Sequence, residues 1–194
     1  DFAVYSSLKV IQGKILFPEY HIERLFESAK LIGLKHQFSK TETMEWLNLL
    51  VRKNKIIDGL LKIILIGDMD DAGDVRMYIL PAGGLIFYPE DLYQKGAKLI
   101  TYQGERRIPR AKTTDLLLSC LAYREAKKAG ALDALLVDRN NNIREGTRTN
   151  FYALKGRVII TAPPDKVLEG ITKKIVLGVS KKYFKIKEED ISLA

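Results

Sequence analysis

The chain has 194 residues, 46% of them hydrophobic, which is enough to bury a real core as one large domain or two small ones. Its 32 Lys and Arg against 24 Asp and Glu leave a net charge of +8, which favours anionic partners, but the basic stretches VRKNK, REAKKAG and SKKYFKIKEED fall on helix faces or ends, and with neither zinc-finger spacing nor an aromatic-basic ribonucleoprotein motif the expectation is no nucleic acid. The single cysteine, Cys120, excludes an internal disulfide, two histidines leave little for a metal, and no apolar run approaches the roughly 18 residues of a membrane span, so a reduced, cytoplasmic, metal-free protein is expected.

DFAVYSSLKV is an alternating strand at the very start, without a start methionine or signal-peptide pattern, so the chain is expected to lack part of its natural N-terminus. QGK then turns into ILF to make a hairpin. PEYHIERLFESAKLIGL sets Ile22, Leu25, Phe26, Ala29 and Ile32 at helical spacing, and on that wheel Arg24 points away from the apolar face, toward solvent. A second helix begins at SKTE, where Ser39 and Glu42 have capping-box spacing and Met44, Leu47, Leu50 and Val51 form a buried stripe. Strands LLKIILIG and VRMYIL flank the acidic loop DMDDAGD.

After PAGGLIFYPEDLYQKG the pattern changes. Strand AKLITY, the connection RIPRAKTTD, a helix from about Thr114 to Ala129, strand LDALLVD, the turn RNNN and the hairpin NFYALKGRVIIT follow, and a last helix starts near GIT and runs into KKYFKI. With a break near residue 89, the expectation is an α+β chain in two units: a small N-terminal domain over 1–88 and a larger C-terminal domain over 89–194 that carries Lys112.

Three short motifs bear on chemistry, and each has a bland alternative. Lys112 in RIPRAKTTD is either a surface lysine or an amine whose pKa the neighbouring Arg107 and Arg110 would lower, a condition for Schiff-base chemistry. Glu145 in IREGTRTNFYAL is a turn glutamate or a placed carboxylate. Gly170, Ile171 and Thr172 in LEGITKK are a helix cap or a phosphate-holding helix tip, where free N–H groups and the positive end of the dipole favour an anion.

Taken together and in this order, AVYSSLKVIQGKILFPEYHIERLFESAKLIGL and the run from AKTTD through GITKK resemble the fold-type IV pyridoxal-phosphate enzymes. These are the class IV aminotransferases, which include branched-chain aminotransferases, D-amino-acid transaminases and aminodeoxychorismate lyases. The resemblance covers nearly the whole chain and implies a two-domain fold of the D-amino-acid-aminotransferase type, pyridoxal 5'-phosphate as cofactor and a homodimer. It sets Lys112 in the place of the Schiff-base lysine that also shuttles the substrate Cα proton. Glu145 takes the place of the carboxylate on the pyridine nitrogen, whose protonation makes the ring an electron sink. Arg24 matches the arginine on the cofactor phosphate, with Ile171 and Thr172 as donors beside Gly170 at the helix start. Asn150 matches a motif asparagine that shapes the cofactor pocket, and Tyr5 an aromatic residue on the substrate side, with Ser6, Lys62 and Arg110 completing the expected substrate-binding set.

Some positions depart from the better-known members. The D-amino-acid transaminases carry an Arg-x-His pair where this chain has GDMDDAGD, a loop that repels a carboxylate unless Arg76 or Lys62 intervenes, so D-specificity is disfavoured. Leu61 replaces an arginine of the branched-chain enzymes. Ser6 stands where many transaminases have glutamate and where aminodeoxychorismate lyases tend to place a hydroxyl residue. The chain also stops at DISLA, before the family's usual Ser/Thr-rich segment, and is expected to be incomplete at that end too. The expected function is amino transfer between a branched-chain or similar amino acid and a 2-oxo acid. The alternatives are a lyase that yields pyruvate and 4-aminobenzoate, and an inactive relative that serves as a binding module.

Overall fold

The computed structural model describes residues 2–68 and 75–193. The acidic loop DMDDAGD lies outside them except for Asp68. The chain divides into two compact units: residues up to Phe87 together with Ala111–Thr114, and Tyr88–Arg110 together with the residues from Asp115 onward. The segment that holds Lys112 thus belongs to the first unit, not to the C-terminal domain in which sequence reasoning placed it. The reason is backbone pairing, described below. Among the described residues no helix is long and apolar enough to cross a membrane.

The first unit runs β1 (Phe2–Ile11), β2 (Lys14–Ile15), α1 (Pro18–Leu31), α2 (Lys40–Lys53), β3 (Gly59–Gly67) and β4 (Arg76–Pro81). The strands form a four-stranded antiparallel sheet in the order β2-β1-β3-β4. Between β1 and β2 the turn residues Gln12 and Gly13 have φ of 50° and 72°, the left-handed pair that matches the twist of a tight hairpin. Alternation sends Val4, Leu8 and Val10 of β1 and Leu61, Ile63 and Leu65 of β3 to one face, all fully buried. Ile22, Leu25 and Ala29 of α1 and Leu47 and Val51 of α2 complete that core. Pro18, with its fixed φ, opens α1. The capping box of α2 forms as its spacing predicts: Ser39 Oγ accepts from the Glu42 N–H at 3.2 Å, and Glu42 Oε2 accepts from the Ser39 N–H at 3.1 Å.

The second unit holds α3 (Glu90–Lys95), β5 (Leu99–Gln103), α4 (Leu117–Lys128), β6 (Asp133–Val137), β7 (Asn142–Gly146), β8 (Ala153–Lys155), β9 (Val158–Thr161), α5 (Ile171–Ser180), β10 (Lys185–Glu188) and β11 (Ile191–Ser192). One sheet runs β11-β7-β6-β5, with β5 parallel to β6; a second runs β10-β9-β8. Ala122 and Ala126 let α4 pack closely on Ala134 and Leu136 of β6. In the RNNN turn, Asp138 Oδ1 accepts the N–H groups of Asn140 and Asn142, each at 2.9 Å, while Asn141 takes a φ of 59°. Burial opposes the charge on Asp138, but those N–H bonds and the Arg144 guanidinium together hold its carboxyl below the usual range.

Two helix boundaries differ from expectation. α4 begins at Leu117 instead of Thr114, because Thr113 and Thr114 are engaged with β1. The last helix ends at Ser180, and KIKE becomes β10, parallel to β9. Its alternating pattern suits the open edge of β9 better than a helix face.

Candidate active site

In the first unit, α1 carries a polar stripe beside its apolar one. His21, Arg24 and Ser28 follow at helical spacing, one residue ahead of Ile22, Leu25 and Ala29. Residues 111–114 run antiparallel along the free edge of β1. Val4 bridges Thr113, the Tyr5 N–H donates to the Lys112 carbonyl at 2.9 Å, and the Thr114 N–H donates to the Ala3 carbonyl at 3.1 Å. On its other side the Lys112 N–H donates to Ser28 Oγ at 3.1 Å, and that hydroxyl donates to the Arg24 carbonyl at 2.7 Å. Both backbone groups of Lys112 are therefore fixed, one by a strand and one by a helix.

This pairing sets Lys112 opposite Tyr5 on one face of the sheet. The Lys112 ammonium lies 4.7 Å from the Tyr5 ring centroid and the Lys62 ammonium 4.8 Å from it. The ring quadrupole attracts each cation, and two positive charges on one face suit an anionic ligand. Sequence reasoning named Tyr5, Lys62 and Lys112, and the fold brings them together.

Ser6 is a correction. It was expected on the substrate side beside Tyr5, but adjacent strand residues face opposite ways, and Ser6 is 0% exposed on the α1 side. There its Oγ accepts from Arg24 Nη2 at 3.0 Å and lies 2.9 Å from His21 Nδ1. Arg24 is likewise half-buried, not solvent-facing as its wheel position suggested, because the edge of β1 and its Ser6 lie on that side of the helix. His21 sits deep enough that burial, then the charges of Arg24 and Lys112, push its pKa down to about 3.

In the second unit, Glu145 lies near the end of β7, 6% exposed, and bridges Asn150 across the turn closed by the Gly146 N–H on the Thr149 carbonyl. Asn150 Nδ2 donates to the Leu168 carbonyl at 2.8 Å, and the Leu168 N–H donates to Glu145 Oε2 at 3.3 Å. Gly170 packs so closely on Asn150 that a Cβ there would collide with its Oδ1. Glu145, Asn150 and the start of α5 are thus gathered into one cluster. α5 begins at Ile171 behind Gly170, which supplies no side-chain cap, so its first N–H groups are left for another acceptor.

Arg106 is the residue that sequence reasoning missed. Its guanidinium donates to the Pro109 carbonyl at 2.8 Å and meets Glu145 Oε1 at 3.5 Å, with the two side chains 15% and 8% exposed. Arg107 and Arg110, the cations singled out in that stretch, are exposed, where water screens them. A buried carboxylate demands a partner, and that demand was the available signal.

Pyridoxal phosphate carries a phosphate, a pyridine nitrogen and an aldehyde, and the described residues match it in kind: a guanidinium and a helix start without a side-chain cap, a buried carboxylate, and a primary amine. Residues 3–194 match the family model described as amino-transferase class IV. The chain belongs to the class IV aminotransferase family. Class IV aminotransferases are pyridoxal-phosphate-dependent. The class IV chain is similar to a probable branched-chain-amino-acid aminotransferase of Rickettsia felis, 28% identical over 202 residues that cover 98% of this chain and 69% of the relative. It is similar also to a D-alanine aminotransferase of Bacillus licheniformis, 32% identical over 185 residues, 90% of this chain and 64% of the relative. A solved putative 4-amino-4-deoxychorismate lyase from Legionella pneumophila superposes with a TM-score of 0.87 at 22% identity, covering 98% of this chain and 74% of that one. That likeness establishes the α+β, fold-type IV architecture.

Proposed function

We propose that this class IV chain moves an amino group between an amino acid, of branched-chain or similar apolar type, and a 2-oxo acid, with Lys112 as its catalytic amine. The observation that carries the reading is the double backbone grip on Lys112, which holds a flexible amine over Tyr5 and beside a second cation instead of leaving it to solvent. Arg24 and the N–H groups of Ile171 and Thr172 would hold the cofactor phosphate. Glu145, oriented by Arg106 and the Leu168 N–H, would accept a hydrogen bond from the protonated pyridine nitrogen. When bound, the cofactor supplies an aldehyde for the amino group and a ring that withdraws electrons from the substrate Cα. Lys112 would take up and hold the substrate Cα proton, and Lys62 would offer its charge to the substrate carboxylate. A homodimer in the cytoplasm belongs to the same proposal.

The lyase reading uses the same cofactor residues, but Ser6, the hydroxyl that favoured it, is buried and committed to Arg24 and His21. Amino transfer to 2-oxoglutarate, assayed beside pyruvate release from aminodeoxychorismate, separates the two. The purified chain should turn yellow with pyridoxal phosphate, and borohydride should leave a pyridoxyl group on Lys112. A preparation that stays colourless would favour the binding module and overturn the proposal.

A further inference from the structure

Ser6 interrupts an otherwise apolar row. Val4, Leu8 and Val10 share its face of β1, all 0% exposed, and a hydroxyl in that row is destabilising unless its hydrogen bonds are made. Both bonds go to α1. A guanidinium can only donate, so the Ser6 oxygen accepts from Arg24 Nη2, and in the imidazole tautomer with its hydrogen on Nε2 the hydroxyl proton goes to His21 Nδ1. That assignment requires an unprotonated Nδ1, in keeping with an imidazole held neutral by burial and by two neighbouring cations. His21 and Arg24 lie one turn apart on α1, so the hydroxyl closes a ring from strand to helix. The Arg24 carbonyl, in turn, accepts from Ser28, which receives the Lys112 N–H.

We infer that Ser6 and His21 are positioning residues for Arg24: the relay from imidazole to hydroxyl to guanidinium sets the orientation in which Arg24 meets the cofactor phosphate. The inference rests on the proposed cofactor role of Arg24. A long arginine side chain loses rotamer freedom when it grips an anion, and an anion that meets a pre-set fork avoids part of that loss. A purely structural network would instead tie α1 to β1 without regard to the phosphate.

The test compares affinities of the chain for pyridoxal 5'-phosphate and for pyridoxal, read by absorbance titration. The wild type should prefer the phosphorylated form, and Arg24→Ala should lose that preference. Ser6→Ala should weaken pyridoxal phosphate binding about tenfold while pyridoxal binding stays within about twofold, and Ser6→Thr, which keeps the hydroxyl, should recover most of the difference. An unchanged ratio in Ser6→Ala overturns the inference while leaving the cofactor reading intact. A wild type that binds both forms equally overturns the phosphate role of Arg24 and the inference with it. If Ser6→Ala does not fold, His21→Leu against His21→Asn, which keeps an acceptor, is read by the same ratio, and equal ratios in that pair overturn the inference.

Discussion

The backbone of Lys112 is gripped on both sides, its carbonyl by the Tyr5 N–H and its N–H by Ser28, while its ammonium lies over an aromatic ring. Glu145 is held the other way, through its carboxylate, one oxygen against Arg106 and the other against the Leu168 N–H. The contrast follows from charge and burial. An amine that must change partners during a reaction is best placed by its main chain. A carboxylate at 6% exposure has lost most of its water and needs donors in its place.

The largest effect that would break this comparison is Lys112→Ala. The backbone bonds survive the substitution, so the thermal midpoint should barely move, whereas turnover should fall by at least about 10³-fold and mass spectrometry should find no pyridoxyl group after borohydride. A substantial drop in melting temperature would mean that the amine itself holds the segment. Glu145→Gln should behave differently and lose in both measurements. The rate should fall about 10²-fold as the ring-nitrogen partner loses its charge, and stability by about 2–3 kcal/mol because the pair with Arg106 loses its negative member. Adding Arg106→Met should restore stability in chemical denaturation and not the rate; recovery of both would sink the assigned role of Glu145.

Acid should sharpen the contrast within the first unit. His21 has its folded-state pKa depressed from 6.5 to about 3, so the unfolded chain binds the extra proton between those values. Stability is full above pH 6.5 and falls by a few kcal/mol as pH drops toward 3, with His36 adding in the same direction through its own burial. Subtracting the denaturation profile of His21→Asn isolates the first contribution, and parallel profiles would refute it. Ser28→Ala should have the smallest effect, about 1–2 kcal/mol in urea unfolding, from the lost bond to the Lys112 N–H.

Much of the fold was legible in the sequence because its signals are local. The period of two in VYSSLKV, the apolar positions of α1 and the Ser39–Glu42 spacing each concern residues within a turn or two of one another. The start of α4 was misjudged for the opposite reason, since Thr113 and Thr114 pair with Val4 and Ala3, residues from the far end of the chain. The tail after α5 likewise found a strand neighbour that its composition did not announce.

The same division runs through the candidate site. Residue types and motif order alone determined which amine, carboxylate, arginine and helix start were worth naming, because chemistry of this kind needs those functional groups whatever their surroundings. Tertiary structure decided their partners: Ser28 for Lys112 across 84 positions, Arg106 for Glu145 across 39, and Ser6 turned inward to Arg24 across 18. Side-chain period tells which way a residue faces within its own element, but only packing tells what stands opposite, and for a buried polar group that neighbour decides its charge, its orientation and its use.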